Sequence, residues 1–216
     1  MPKKCVVIYV EGPTDEEFYN KLKENIKNKI SDKRFKVDAL KVVCIKGIGK
    51  YSSKLLCKFK CEIVDKYSDY DKIVFLCYDN DVFEYGVYPP IDRKKLEEDL
   101  YTAGATNVFH IAADRTIEDY FMIDEQGVLQ YLKLKSNTKI KGSNGLEKIN
   151  NLFKSANRTY QKGSMVSGLV DSLNIDLICS KICSQLSTLC TLLGLECSLK
   201  CVSKTEKSNK KKEKGS

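Results

Sequence analysis

Alternating strand and helix signals run through the first half of the chain, and this alternation constrains the fold more than any other feature. Residues 5–10 form a continuous apolar run, which is typical of a strand that is covered on both faces. Residues 14–30 follow with Phe18, Leu22 and Ile26 at four-residue spacing, which predicts a helix with one apolar face. Strands and helices in alternation are the pattern of a parallel sheet built from β-α-β units. We therefore predict an α/β fold.

The later signals continue this pattern and then depart from it. We predict further core elements as strands over 37–45, 72–78 and 107–111 and helices over 52–66 and 92–103. After the last strand the predicted elements are helices over 116–133, 146–156 and 164–195. The change divides the chain into a core over 1–112, a helical extension over 113–199 that completes the rim of the site, and a tail over 200–216.

The net charge of +8 is concentrated at the end of the chain. Residues 200–216 hold seven Lys and two Glu, a net charge of +5, which leaves +3 for everything before them. Such a tail is typical of a solvated, disordered end, and an electrostatic arm for phosphates is the alternative. The overall charge alone is therefore weak evidence for a nucleic-acid partner.

Hydropathy and cysteine usage favour a cytoplasmic protein without a membrane segment. No apolar run approaches the roughly 20 residues that cross a bilayer, and we expect the apolar start of the chain to be a strand rather than a signal. Cys5, Cys44 and Cys77 lie inside apolar runs, where reduced thiols fit better than a disulfide framework. Near the C-terminus, pairs at i,i+4 spacing could pack in a helix or hold a structural Zn²⁺, and both readings stay open. These pairs are Cys179 with Cys183 and Cys197 with Cys201.

Acidic residues follow two of the predicted strands directly. Glu11 comes after the first strand, and Asp79 and Asp81 come after the third. Ligands of parallel α/β sheets bind outside the carboxyl ends of the strands, so these three carboxylates are expected to converge. Converging carboxylates repel one another unless a cation neutralises them, and carboxylate oxygens suit Mg²⁺ or Mn²⁺. The sequence therefore predicts a divalent-metal site.

The first acid belongs to the string Val10-Glu11-Gly12-Pro13-Thr14-Asp15, and the second pair belongs to a strand that ends in Asp79-Asn80-Asp81. In this order and on these strand ends, the two strings resemble the TOPRIM domain of topoisomerases, primases and several nuclease groups. The resemblance covers roughly residues 4–112. It implies a Rossmann-like core with a central parallel sheet flanked by helices.

The resemblance also implies roles for individual residues. Glu11 would be a metal ligand and a catalytic acid or base, and Asp79 and Asp81 would be catalytic metal ligands. Gly12 would make the turn after the strand. Asp15 matches a recurrent acid of the family that we expect to stabilise the motif rather than to bind metal. Mg²⁺ or Mn²⁺, as two ions, is the cofactor that the resemblance implies.

A third group of acids follows the fourth strand, in the segment from Asp114 to Tyr120. This segment is similar to the acid-bearing segment of overcoming-lysogenization-defect-type nucleases, where a second metal is assembled. Glu118 is our first choice as a metal ligand and catalytic residue, followed by Asp119 and then Asp114. The alternative is a helix start whose acids complement the helix dipole.

Three basic residues are candidates for phosphate contacts. Arg115, Arg158 and Lys162 carry the charges that bind phosphate oxygens, although each could equally be an ordinary surface residue. Lysines beyond the acidic core occur in the nucleases just named, and Lys162 is the nearest counterpart here. The resemblance thus adds Lys162 to the expected catalytic residues.

Together these features predict a metal-dependent endonuclease that hydrolyses phosphodiesters in RNA or DNA. Two ions would hold the attacking and leaving oxygens of an in-line displacement. Family association suggests an antiphage defence effector, with an ATPase partner or a homo-oligomer as its assembly. The alternative is a non-hydrolytic TOPRIM module that binds nucleic acid or a partner protein as a subunit or regulator.

Overall fold

The computed structural model of the chain describes residues 2–47, 51–80, 91–164 and 166–196. Its strands are β1 (Lys3–Val10), β2 (Ala39–Cys44), β3 (Tyr70–Asp79) and β4 (Asn107–Ala113). They pair in parallel in the order β2-β1-β3-β4. The chain moves from β1 to β2 on one side and then crosses to β3 on the other. The carboxyl ends of β1 and β3 therefore form the switch point of the sheet, where α/β proteins bind ligands.

Helices cover the sheet and continue beyond it. In the core they are α1 (Pro13–Lys29), α2 (Tyr51–Lys58), which continues as a π-helical segment over Phe59–Val64, and α3 (Arg93–Thr102). In the extension they are α4 (Ile117–Phe121), a 3-10 turn over Met122–Asp124, α5 (Glu125–Tyr131), α6 (Gly145–Ser155), α7 (Leu169–Ser172), α8 (Ile175–Lys181) and α9 (Cys183–Leu193).

The two faces of the sheet bury alternate residues of each strand. Val7 and Tyr9 of β1 pack with Leu55 of α2 and Leu100 of α3 on one face. Ile8 and its neighbours Val6 and Val10 face the opposite side, where α1 and the helices of the extension cover them. Because both faces are covered, β1 is apolar at every position from Cys5 to Val10, as the sequence predicted.

The extension shares its hydrophobic core with the sheet. The ring of Phe18 in α1 lies 6.0 Å from the ring of Tyr120 and 5.8 Å from the ring of Phe121, both in α4. Residues from α5 to α9 join the same buried cluster, including Leu152 and Leu189. The helices after residue 113 are therefore built onto one face of the sheet and share its core.

The predicted α/β class and element order are confirmed by the four-stranded parallel sheet flanked by helices. The predicted helix over 164–195 is divided into three short helices, with breaks before Ile175 and before Cys183. The side chain of Asn174 accepts a hydrogen bond from the backbone of Leu177 at 3.0 Å, so this residue caps a new helix start. A TOPRIM assignment within this class stays a prediction.

No helix in the described part of the chain combines the length and the apolar character that a bilayer crossing requires. The predicted basic tail lies outside the described residues, as do Cys197 and Cys201 of the zinc alternative. The other two cysteines of that alternative, Cys179 and Cys183, are partly buried.

Candidate active site at the sheet switch point

A cleft of about 600 Å³ opens at the carboxyl ends of β1 and β3. Its walls come from the turn after β1, the end of β3, the start of α4 and the loop before α7. The lining residues are Glu11, Gly12, Pro13, Thr14, Asp15, Lys46, Gly47, Asp79, Ile117, Glu118, Tyr160, Lys162 and Gly163. Four carboxylates thus face one cleft, and they come from positions more than 100 residues apart in the sequence.

Glu11 and Asp79 are held at fixed positions by the ends of neighbouring strands. The Glu11 side chain accepts a hydrogen bond from the backbone N–H of Asp79 at 3.0 Å. The side chain of Asp79, a residue that is 4% exposed, accepts one from the backbone N–H of Ile117 at 2.7 Å. Ile117 is the first residue of α4, where backbone N–H groups have no partner within the helix. Asp79 therefore joins the end of β3 to the start of α4.

Lys162 contacts this pair from the extension. Its ammonium group lies 3.0 Å from the second oxygen of Asp79. The loop that carries Lys162 is fastened to the start of α1, because the hydroxyl of Thr14 donates a 2.9 Å hydrogen bond to the carbonyl of Ser164. Gly12 and Gly163 approach closely there, and a Cβ on Gly12 would lie 3.7 Å from the Gly163 backbone. Small residues thus allow the loop to reach the cleft.

Glu118 is the most deeply buried acid of the cleft, at 1% exposure. One of its oxygens accepts a 2.6 Å hydrogen bond from the hydroxyl of Tyr160. The other oxygen is buried and has no hydrogen-bond partner within the part of the chain that the structure describes. A buried carboxylate oxygen without a partner is costly, so this atom marks a place for a cation or a proton donor.

Asp15 supports the turn after β1. Its side chain accepts a 3.1 Å hydrogen bond from the backbone N–H of Gly12, the N-cap residue of α1, three residues earlier. This bond closes the start of α1 in the manner of a capping residue. The geometry agrees with the role that the sequence predicted for Asp15, although the residue also lines the cleft.

Burial and mutual repulsion raise the pKa values of three of these acids. The pKa of Glu11 is raised to about 8, first by burial and then by the charge of Asp79. The pKa of Asp79 is raised to about 7 by burial, against the lowering effect of Lys162. The pKa of Asp15 is raised to about 6 by burial and by the charge of Glu118. The cluster therefore holds more negative charge than its own surroundings stabilise.

The structure does not bring every predicted site residue to the cleft. Both oxygens of Asp119 accept backbone hydrogen bonds, from Thr116 at 3.1 Å and from Gly145 at 2.7 Å. Asp119 caps α4 and joins it to the start of α6, and it does not line the cleft. Asp114 is exposed, and its carboxylate lies 3.4 Å from the amide of Gln185. Of the three acids that follow β4, Glu118 lines the cleft, whereas Asp114 and Asp119 do not.

The predicted phosphate contacts are placed differently from one another. Lys162 lines the cleft, whereas Arg115 and Arg158 are exposed and do not line it. The guanidinium of Arg158 donates a 2.7 Å hydrogen bond to the hydroxyl of Tyr131 and lies 4.7 Å from the centre of that ring. The predicted ligand Asp81 lies outside the described residues.

Two lining residues were missed by sequence reasoning. Tyr160 stands two residues before Lys162, and nothing in its spacing indicates that it bonds Glu118, 42 residues earlier. Lys46, two residues after the end of β2, has a left-handed backbone with a φ of 56° and brings a second cation to the cleft. Its position directly after a predicted strand was the one available signal.

The cleft residues fit a divalent cation in their chemistry. Their donors are carboxylate oxygens, which are the ligands of Mg²⁺ and Mn²⁺, and one buried oxygen of Glu118 lacks a partner among the described residues. Within those same residues, no three His, Cys, Asp or Glu side chains already form a metal-binding group. The ammonium group of Lys162 neutralises part of the carboxylate charge in the cleft, because it lies beside Asp79.

Comparison of the chain with protein-family models, curated proteins and solved structures finds no match.

Proposed function

We propose that this chain is a divalent-metal-dependent phosphodiesterase that cleaves nucleic acid, with a TOPRIM-type core. The observation that carries the proposal is the unpartnered oxygen of Glu118, buried in a cleft that also receives Glu11 and Asp79. A cluster of carboxylates with raised pKa values and one orphaned oxygen needs a cation for neutralisation. The position at the switch point of a parallel sheet supports a ligand site there.

Glu11, Asp79 and Glu118 are the described residues that would hold Mg²⁺ or Mn²⁺, and Asp81 remains in the proposed set from the sequence. Bound divalent ions would activate water and stabilise the charge that develops on a phosphodiester during hydrolysis. Asp119 is left out of this set because backbone hydrogen bonds occupy both of its oxygens.

The protein's own groups supply binding and orientation. Lys162, 36% exposed at its side chain, can leave Asp79 and donate to a non-bridging phosphate oxygen in the cleft. In the metal-free cleft the pKa of Glu11 is raised to about 8, so Glu11 would release its proton when it binds a divalent ion. Tyr160 fixes the orientation of Glu118 through their 2.6 Å hydrogen bond.

A second candidate function is a non-hydrolytic module that binds phosphate-bearing partners. The contact between Lys162 and Asp79 favours it, since this ion pair neutralises the cleft without a metal. In this case Lys162 and Lys46 would bind phosphate, and the carboxylates would only orient the lysines. The two candidates differ in whether a phosphodiester bond is broken.

The test is cleavage of labelled single-stranded and duplex DNA and RNA with Mg²⁺, with Mn²⁺ and with EDTA. We expect cleavage that needs the metal and falls at least about 100-fold in Glu11→Gln and in Asp79→Asn. Glu24→Gln is the matched control, because Glu24 is an exposed acid on α1 away from the cleft lining.

Two results would count against the phosphodiesterase. Activity near wild type in either cleft variant would remove the carboxylates from the mechanism. Tight nucleic-acid binding without cleavage under any metal condition would favour the non-hydrolytic module.

A further inference from the structure

The positive charge of the described chain is concentrated in one segment, residues 131–164. This segment holds eight Lys or Arg and one Glu, a net charge of +7. The rest of the chain before residue 200 has a net charge of −4. The net charge of +3 for the first 199 residues is therefore the sum of a strongly basic segment and an acidic remainder.

Part of this charge surrounds one surface depression. Lys139, Lys141 and Lys154 line a depression of about 360 Å³ together with Asn151, Leu152 and Ser155. We call this surface the basic depression. All three lysines are exposed, and none forms an ion pair with a described carboxylate. The described lining contains three lysines and no acid, so we expect a positive potential at the depression.

The basic depression is attached firmly to the candidate active site through α6. The start of this helix is bonded to α4, because the N–H of Gly145 donates to Asp119 at 2.7 Å. Its last turn carries Lys154, and the amide of Asn151 donates a 3.0 Å hydrogen bond to the carbonyl of Lys141. Phe153, the neighbour of Lys154, has its ring 5.1 Å from the ring of Tyr160 in the cleft.

We propose that the basic depression formed by Lys139, Lys141 and Lys154 binds the phosphate backbone of nucleic acid outside the cleft. The inference rests on the proposed function for its choice of partner. A lipid surface or an acidic protein would use apolar anchors beside the charges. The exposed large apolar side chains of the described chain are Tyr101 and Leu177, and both lie outside residues 131–164. The polar surroundings of the lysines therefore favour phosphodiesters.

The experiment measures binding without catalysis. Anisotropy of a short labelled DNA or RNA duplex is followed in EDTA at increasing salt, for the full chain and for the Lys139→Gln/Lys141→Gln/Lys154→Gln variant. The matched control is Lys27→Gln/Lys60→Gln/Lys66→Gln, which removes the same charge from exposed lysines of α1, the π-helical segment and the turn after it. The plot of log K against log salt has a negative slope, and each lost phosphate contact should make this slope less steep by about 0.9.

For the depression variant we expect a slope that is less steep by up to about 2.7, and for the control a nearly unchanged slope. Equal slopes for the two variants would overturn the proposal, as would a selective loss of binding to anionic vesicles or to poly-glutamate rather than to duplex. If the glutamine variant fails to fold, the Lys→Arg variant at the same three positions should keep the wild-type slope. A less steep slope in this arginine variant would then also overturn the proposal.

The outcome separates this inference from the proposed function. Cleavage with Mg²⁺ together with an unchanged salt slope would contradict phosphate binding at the basic depression and support the phosphodiesterase. A less steep salt slope together with no cleavage under any metal condition would support phosphate binding at the depression and contradict the phosphodiesterase.

Discussion

The hydroxyl of Tyr160 donates a 2.6 Å hydrogen bond to one oxygen of Glu118, while the other oxygen has no partner among the described residues. Both residues are buried, at 7% and 1% exposure. The carboxylate is thus fixed by one bond and left open on its other side. Tyr160 thereby sets the orientation of an acid in the first turn of α4, although the two residues are 42 positions apart in the sequence.

Tyr160→Phe should weaken metal binding by about 10-fold to 100-fold, because the phenyl ring keeps the packing but loses the bond that orients Glu118. It should also lower the free energy of unfolding of the metal-free protein by about 1–3 kcal/mol, since a buried carboxylate loses its partner. Calorimetric titration with Mn²⁺ and urea unfolding measure the two effects. Tyr131→Phe is the control, because its hydroxyl bonds Ser167 and Arg158 away from the cleft. Equal losses in both variants would contradict the special role of Tyr160.

Glu118→Gln should raise the melting temperature of the metal-free protein and reduce its increase on addition of Mg²⁺. The substitution removes a buried charge, so it relieves repulsion with Asp15. It also removes a ligand, so the stabilisation by mass action becomes smaller. Differential scanning fluorimetry with EDTA and with Mg²⁺ tests both signs. An unchanged metal-dependent shift would show that Glu118 does not hold the ion.

The stability of the metal-free protein should fall as the pH rises from about 5 to about 8. The folded-state pKa values of Glu11, Asp79 and Asp15, at about 8, 7 and 6, lie above their ordinary values, so the folded protein retains protons that the unfolded chain releases. The contribution is complete below the ordinary pKa values and is lost as the pH passes the folded ones. The slope approaches about 1.4 kcal/mol per pH unit for each retained proton. Urea unfolding in EDTA should give a smaller slope for Glu11→Gln, and an equal slope would contradict the raised pKa.

The sheet and half of the cleft were predictable from the sequence because both depend on local patterns. Apolar runs fixed the positions of the strands, and parallel strands end at the same edge of a sheet, so Glu11 and Asp79 had to converge. Glu118 and Asp119 were harder to separate because they are adjacent. The string Thr116-x-x-Asp119 resembles a capping box, a signal that our prediction of Asp119 as a metal ligand did not use. Glu118 is the acid that remains for the cleft.

The contacts that the extension makes in the cleft could not be predicted. The ion pair of Lys162 with Asp79 and the bond of Tyr160 to Glu118 join segments that are 83 and 42 residues apart. Such contacts depend on how the helices pack on the sheet, and helix periodicity gives the buried face without giving the neighbour. The close approach of Gly145 to α4 was hidden for the same reason.

Gly145→Ala should displace Glu118 and reduce both stability and metal binding. A Cβ at this position would lie 2.4 Å from the backbone N of Asp119 and 2.4 Å from the carbonyl carbon of Glu118, so α6 or α4 must move. Overpacking of this kind costs about 1–3 kcal/mol. Asn150→Ala, on the same helix, is the control. Urea unfolding and Mn²⁺ titration should show losses in Gly145→Ala alone, and a wild-type Mn²⁺ affinity would contradict the coupling between α6 and Glu118.

Lys162→Met should leave the protein less stable in EDTA at pH values near 8 and more strongly stabilised by Mg²⁺. Lys162 lowers the pKa values of Asp79, Glu11 and Asp15, so its loss leaves their repulsion unrelieved when they are ionised. The effect should shrink towards pH 5, where the acids are protonated in the folded state. Turnover should fall about 100-fold or more even at saturating Mg²⁺, because a phosphate contact is lost along with the counter-charge.

Lys46→Met is the matched control, since Lys46 lines the same cleft and forms no ion pair among the described residues. Full recovery of turnover by Mg²⁺ in Lys162→Met would show that Lys162 is only a counter-ion of the metal-free cleft. A combined loss of stability and turnover in Lys46→Met would show that the cleft needs positive charge in general. Loss of turnover in Lys162→Met alone, with partial return in Lys162→Arg, is the result that places this lysine on the phosphate.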